Sequence, residues 1–176
     1  MREPTPAASS LPTDPKHATA LAIHLLLAFM AGFVAVLVFH QGVRAALVAA
    51  GVVEATPYAL GPSAVTGVPR VLERAFWGGV WGIVLALILF RVPRRPPSAY
   101  WVVALVFGAL LPSLFAWFIV APFKGGPIAA GGDPVRLAVG LLTNGVWGVG
   151  TAALYRLLLR VRGHRDSATG AGEVPV

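Results

Sequence analysis

The chain contains no cysteine. That excludes a disulfide framework, a thiolate metal centre and a cysteine nucleophile. Charge is also scarce. Asp, Glu, Lys and Arg make up 12% of the 176 residues, while 57% are apolar; soluble domains carry about 25% charged residues. A soluble chain of this size would lack the polar surface to cover so much apolar material, so the solvent it fits is lipid. Acids are scarcest of all, 7 against 14 Lys and Arg, for a formal charge of +7. In a soluble protein that excess would point to nucleic acid. Here the basic residues flank apolar runs, which marks membrane orientation instead, and no nucleic-acid partner is expected. Zinc-ligand spacing, a phosphate loop, a nucleophile elbow and paired carboxylates are all missing, so no metal and no cofactor is expected. Gly125-Gly126 and Gly131-Gly132 lack the Lys-Ser/Thr ending of a phosphate loop and read as turn glycines.

What is present is four long apolar runs: 18–39, 71–90, 100–123 and 137–159. Each reaches the roughly 20 residues that a helix needs to cross a hydrocarbon core about 30 Å thick. The fold class expected is therefore all-α, with four transmembrane helices. The first run is longer than a signal-peptide core and reads as a retained span. Residues 1–16 and 161–176 read as disordered tails. The link 93–99, rich in Pro and Arg, makes the second and third helices antiparallel neighbours. The loop 42–68 opens with a helix-forming stretch, Val43 to Gly51, expected to continue the first span or to bend along the interface. Pro57, Gly61, Pro62, Gly67 and Pro69 then impose turns.

One short pattern occurs twice. Gly79-Val80-Trp81-Gly82 lies in the second run and Gly145-Val146-Trp147-Gly148 in the fourth. Each comes after a Pro-Arg-Leu-like start, Pro69-Arg70-Val71-Leu72 and Pro134-Val135-Arg136-Leu137, and further upstream a polar break, His40-Gln41-Gly42 and Phe123-Lys124-Gly125. Residues 17–92 and 100–160 therefore read as two tandem parallel-repeat hairpins. Aligning them sets Asn144 on Gly78 and Gly148 on Gly82. In lipid, helices associate by close approach through small residues. The small-residue faces Gly78/Gly82 and Gly148/Ala152 are expected to meet each other at the pseudo-twofold axis. Trp81 and Trp147 are expected to fill the groove beside them, with Tyr100 and Trp101 as interfacial anchors. Pro112 is expected to kink the third helix.

With the N-terminus cytoplasmic, nine basic residues fall inside (Arg2, Lys16, Arg91, Arg94, Arg95, Arg156, Arg160, Arg162, Arg165) and five outside (Arg44, Arg70, Arg74, Lys124, Arg136). That asymmetry places both termini in the cytoplasm. The duplication brings His40, Gln41, Glu73, Arg74, Lys124, Arg136 and Asn144 to one membrane level, where they form the candidate polar cluster. Glu73 is the only acid within the four spans, and pairing with Lys124 or Arg136 would relieve its cost near hydrocarbon. Asn144 and His24 read as interhelical hydrogen-bonding groups.

Phe39-His40-Gln41-Gly42, Gly67-Val68-Pro69 and Phe76-Trp77-Gly78-Gly79-Val80-Trp81-Gly82 together resemble a group of small, uncharacterised bacterial inner-membrane proteins. The resemblance implies a bacterial inner membrane and no particular chemistry. The expected function is non-enzymatic: a structural, accessory or assembly-type membrane protein whose partners are the lipid bilayer and either copies of itself or other membrane proteins. The alternatives are a small oligomeric transporter or channel and a membrane enzyme, the latter needing Glu73 and His40 in one pocket.

Overall fold

The computed structural model describes the backbone of residues 15–92 and 96–170 and the side chains of 17–92 and 96–164. The described residues are all-helical, with four helices long and apolar enough to cross a membrane. Helix α1 (Pro15–Ala35) passes through a π-helical turn (Val36–His40) into α2 (Gln41–Ala49). Helix α3 is Arg70–Arg91. Helix α4 (Pro97–Phe115) passes through a second π turn (Ala116–Val120) into the short α5 (Ala121–Phe123), and α6 is Pro134–Gly170. The expected helix after His40 is thus α2, which continues the first span. The expected disordered tails lie largely outside the described residues, with one correction. Helix α6 runs on to Gly170 because no proline interrupts residues 160–170 and its hydrogen bonding continues past the end of the apolar run.

The two π turns have different origins. In the third span Pro122 has no N–H to give Phe118 O inside the turn, and just before it the Ala121 N–H bonds Ala116 O, five residues back. In the first span no proline is present, yet the Gln41 N–H bonds Val36 O in the same way. Each π turn adds one residue, which rotates the downstream segment by on the order of 100° about the helix axis. In the first span this turns both His40 and Gln41 inward, at 8% and 0% exposed.

The chain folds as two hairpins. Helix α1 packs along α3 and α4 along α6; the hairpins join mainly through α1 and α6, while α3 meets α4 and α6 only lightly. This corrects the expected packing. Gly82 does not face Gly148. A Cβ at Gly82 would lie 2.7 Å from Ala28 O and 2.9 Å from Gly32 Cα, and one at Gly32 would lie 2.3 Å from Gly78 O. In the second hairpin a Cβ at Gly148 would lie 2.3 Å from Ala104 O and 2.9 Å from Gly108 Cα, and Ala152 O accepts a bond from the Tyr100 hydroxyl at 3.0 Å. Each small-residue face is therefore spent inside its own hairpin, because Gly32 and Gly108 on the preceding helix offer the complementary notch. Gly32 and Gly108 each follow an alanine by four residues, Ala28 and Ala104, so the notches are small-xxx-small pairs that the sequence carries but does not match to a partner.

Trp147 sits at the junction of the hairpins. It is 2% exposed, and its indole N–H donates to Gly32 O across α1 and α6 at 3.0 Å. Trp81, the tryptophan of the other Gly-Val-Trp-Gly stretch, packs edge-on against Phe107 and Phe115 of α4. Tyr100 is half-buried through its bond to Ala152 O, while Trp101 stays exposed. The apolar core is Ala35, Val36, Ala75, Leu85, Leu89, Ala104, Phe107, Trp147 and Ala152. The remaining large apolar side chains, such as Leu87, Phe90, Val106 and Ile119, face outward on all sides, as lipid contact requires.

Gly42 differs from the glycines of the two crossings. Nothing lies within 4 Å of a Cβ placed there, and its φ is not positive. Gly42→Ala should therefore raise stability by about 0.5–1 kcal/mol through reduced chain entropy in the unfolded state. A thermal melt in mild detergent checks this. A lowered melting point would mean that the helix after the π turn needs glycine's freedom.

A basic cleft at the loop end

The ends of the helices opposite the two termini carry a cleft of about 660 Å³. The first π turn supplies His40, its last residue, and α2 supplies Arg44, one turn later. Helix α3 supplies Arg74, and α6 supplies Arg136, Gly140, Thr143 and Asn144. Val52 to Ala55 of the long loop form one wall, and Trp117 of the second π turn another. The extra residue of each π turn thus aims a polar or aromatic side chain at the cleft.

The long loop is held over this end by Gln41. Its side-chain carbonyl, fully buried, accepts the Tyr58 N–H at 3.0 Å. Tyr58 adopts a left-handed backbone (φ 52°), a conformation costing about 1–2 kcal/mol for a residue with a side chain. Beyond it, Val71 N–H bonds Ala59 O and Arg70 N–H bonds Gly61 O, which zip the loop onto the start of α3. The second loop is a left-handed turn, with Ala129, Ala130 and Gly131 at φ 48°, 55° and 70°. Ala130 lines the cleft. Strained non-glycine residues cluster at working sites more often than elsewhere.

Four of the seven residues expected in the polar cluster line the cleft: His40, Arg74, Arg136 and Asn144. The other three border it. Gln41 anchors the loop, and Glu73 pairs with Lys124 at 3.4 Å. That pair joins the start of α3 to the end of α5 and clasps the sparse α3–α4 side of the bundle. Arg136 is held instead by Asp133 of its own first turn, at 3.3 Å. The Asp133 carboxylate also accepts the Val135 and Arg136 N–H groups at the N-terminus of α6. Asn144 donates to Ser113 Oγ at 2.9 Å, and Ser113 donates to Gly140 O, which ties α4 to α6. His24 meets the Tyr155 hydroxyl at 3.2 Å near the opposite end. Both are the interhelical bonds expected of them. Arg44, Trp117 and Glu54 were not anticipated; the signal for Arg44 was its place four residues after His40, on the same helix face.

The electrostatics of the cleft are uneven. Among the described residues Arg44 and Arg74 have no ion-pair partner, and they lie near enough to each other for their charges to interact. The acids along the lining are Glu54, which is exposed, and Asp133, which is engaged by Arg136. His40 Nδ1, Gln41 Nε2 and Arg44 Nε are buried without hydrogen-bond partners, a costly condition for donors and acceptors away from water. The arrangement can bind an anionic group. No group of three His, Cys, Asp or Glu side chains that could hold a metal occurs among the described residues.

The Glu73–Lys124 pair is partly exposed on the Lys124 side, at 43%. Glu73→Gln should therefore cost no more than about 1 kcal/mol, read as a small drop in melting temperature in detergent. A much larger loss would mean that Glu73 supports more of the fold than this single clasp.

No family model, curated protein or solved structure matches the chain.

Proposed function

We propose that the protein is a non-catalytic accessory protein of the bacterial inner membrane, which works by holding a ligand group in its loop-end cleft. In this reading the cleft faces outward and both termini are cytoplasmic. Its hairpins descend from one duplicated ancestor. Support for duplication comes from the matched Gly32–Gly82 and Gly108–Gly148 crossings and from the π turn in the first helix of each hairpin.

One observation carries the choice of holding over conduction. Beneath the cleft the bundle is filled by an apolar core centred on Trp147, Leu85 and Phe107, and helix backbones touch at both glycine crossings. A solute would have to part these crossings to pass. The enzyme alternative needs Glu73 and His40 in one pocket, whereas Glu73 lies outside the cleft lining and is engaged by Lys124.

Proteoliposomes loaded with potassium phosphate test this reading. Vesicles carrying the protein should leak ions and phosphate no faster than empty ones. Flux that appears with the wild type and disappears with Arg74→Gln would replace this reading with the oligomeric transporter or channel.

A further inference from the structure

We infer that the loop-end cleft is a binding site for a phosphate-bearing anion. The inference rests on the reading of the cleft as a holding site and names what it holds. Three guanidinium groups, Arg44, Arg74 and Arg136, converge there from three separate helices. A guanidinium fork matches two oxygens of a phosphate at once, which an ammonium cannot do. Asp133 engages Arg136 within its own turn, while Arg44 and Arg74 lack an ion pair among the described residues. Arg74 feels the charge of Arg44 and also that of neighbouring Glu73, whose carboxylate Lys124 already engages; the two guanidinium groups repel each other, and an anion between them removes that repulsion.

A second observation points the same way. His40 lines the cleft and is only 8% exposed, and its Nδ1 has no hydrogen-bond partner. Arg44 Nε, one turn further on, is buried and equally unpartnered. Arg44 Nε is always a donor and His40 Nδ1 is one when its proton sits there; donors left open at the wall of a basic cleft are completed by a ligand that brings acceptors. The volume, about 660 Å³, falls in the roughly 300–1,000 Å³ range of small-molecule sites. The wall is mixed: Val53 and Trp117 stand beside the arginines. That suits a phosphoester with a carbon skeleton, either the headgroup of an anionic phospholipid or a soluble phosphate monoester.

The test is calorimetric titration of the full chain in a neutral detergent. The probes are short-chain phosphatidylglycerol, glycerol 3-phosphate and inorganic phosphate, with short-chain phosphatidylcholine as the zwitterionic control. Saturable binding of at least one of the three anions is expected, weakened about tenfold or more by Arg74→Gln and by Arg44→Gln. Arg74→Lys, which keeps the charge and loses the fork, should weaken it less, and it remains informative if Arg74→Gln fails to fold. Glu54→Gln, which removes a negative charge from the cleft wall, should tighten binding. Binding of phosphatidylglycerol alone identifies a lipid headgroup; comparable binding of glycerol 3-phosphate identifies a soluble source. No saturable binding of any anion, or binding that both arginine variants leave intact, overturns the inference. Ion flux in proteoliposomes together with arginine-dependent anion binding would sink the accessory reading and leave this one standing.

Discussion

Gly148→Leu should prevent the protein from folding to a monodisperse species in detergent, and Gly32→Leu should do the same. The reason is geometric. The first side-chain carbon alone would sit 2.3 Å from Ala104 O in one case and 2.3 Å from Gly78 O in the other. Both obstacles are backbone, so no rotamer change relieves the clash. The helices must separate, and separation forfeits the close packing that replaces hydrophobic drive in lipid. Overpacking a core commonly costs about 1–3 kcal/mol, and a clash against helix backbone belongs at or above the upper end. Size-exclusion profiles and melting curves read the outcome. Because each crossing lies inside one hairpin, the two variants should damage different hairpins. Pairing of the α3 and α6 faces, as the sequence suggests, would instead make Gly32 tolerant of leucine while Gly148 remained sensitive.

Trp147→Ala should cost about 3–5 kcal/mol, the range for removing a buried aromatic side chain. Trp147 is 2% exposed and its indole N–H bonds Gly32 O. Its loss opens a cavity at the joint between the hairpins and leaves that carbonyl with one bond fewer. Trp147→Phe separates the two contributions: it restores most of the volume and removes only the hydrogen bond, for a cost of about 1 kcal/mol. Trp81→Ala should cost clearly less, since Trp81 is only partly buried and has ring contacts but, among the described residues, no side-chain hydrogen bond. Equal melting points for the Trp81 and Trp147 alanine variants would contradict the unequal joining of the hairpins.

The four spans were legible because their signal is long and one-dimensional. Twenty apolar residues in a row need no knowledge of a partner. The doubled Gly-Val-Trp-Gly pattern was equally legible, since Gly79-Val80-Trp81-Gly82 and Gly145-Val146-Trp147-Gly148 can be aligned by eye. Which faces meet was not. A small-xxx-small stripe says that a helix is approached closely, and it does not say by which neighbour. The neighbours turned out to be Gly32 and Gly108, each paired with an alanine four residues earlier, Ala28 and Ala104. The cleft was half legible. The turn that brings His40 and Gln41 inward depends on a π bulge at Val36–His40, and no proline marks it in the sequence. Arg44 looked like one of five basic residues on the minority side of an orientation count. In the structure Arg44, Arg74 and Arg136 line the cleft, and Lys124 stands beside it in the Glu73 clasp. Excess basic charge at that end is thereby explained by a local arrangement.

If this cleft, among all the surface the bundle presents, is where the protein meets its ligand, site-specific photo-crosslinking in native membranes will show it. A photoreactive side chain at Val53, on the cleft wall, is compared with one at Leu87, on the outward face of α3. The expected result is a discrete adduct at Val53 that Leu87 does not give and that Arg74→Gln removes. The same diffuse bulk-lipid labelling at both positions, unchanged by Arg74→Gln, would contradict a ligand site in the cleft.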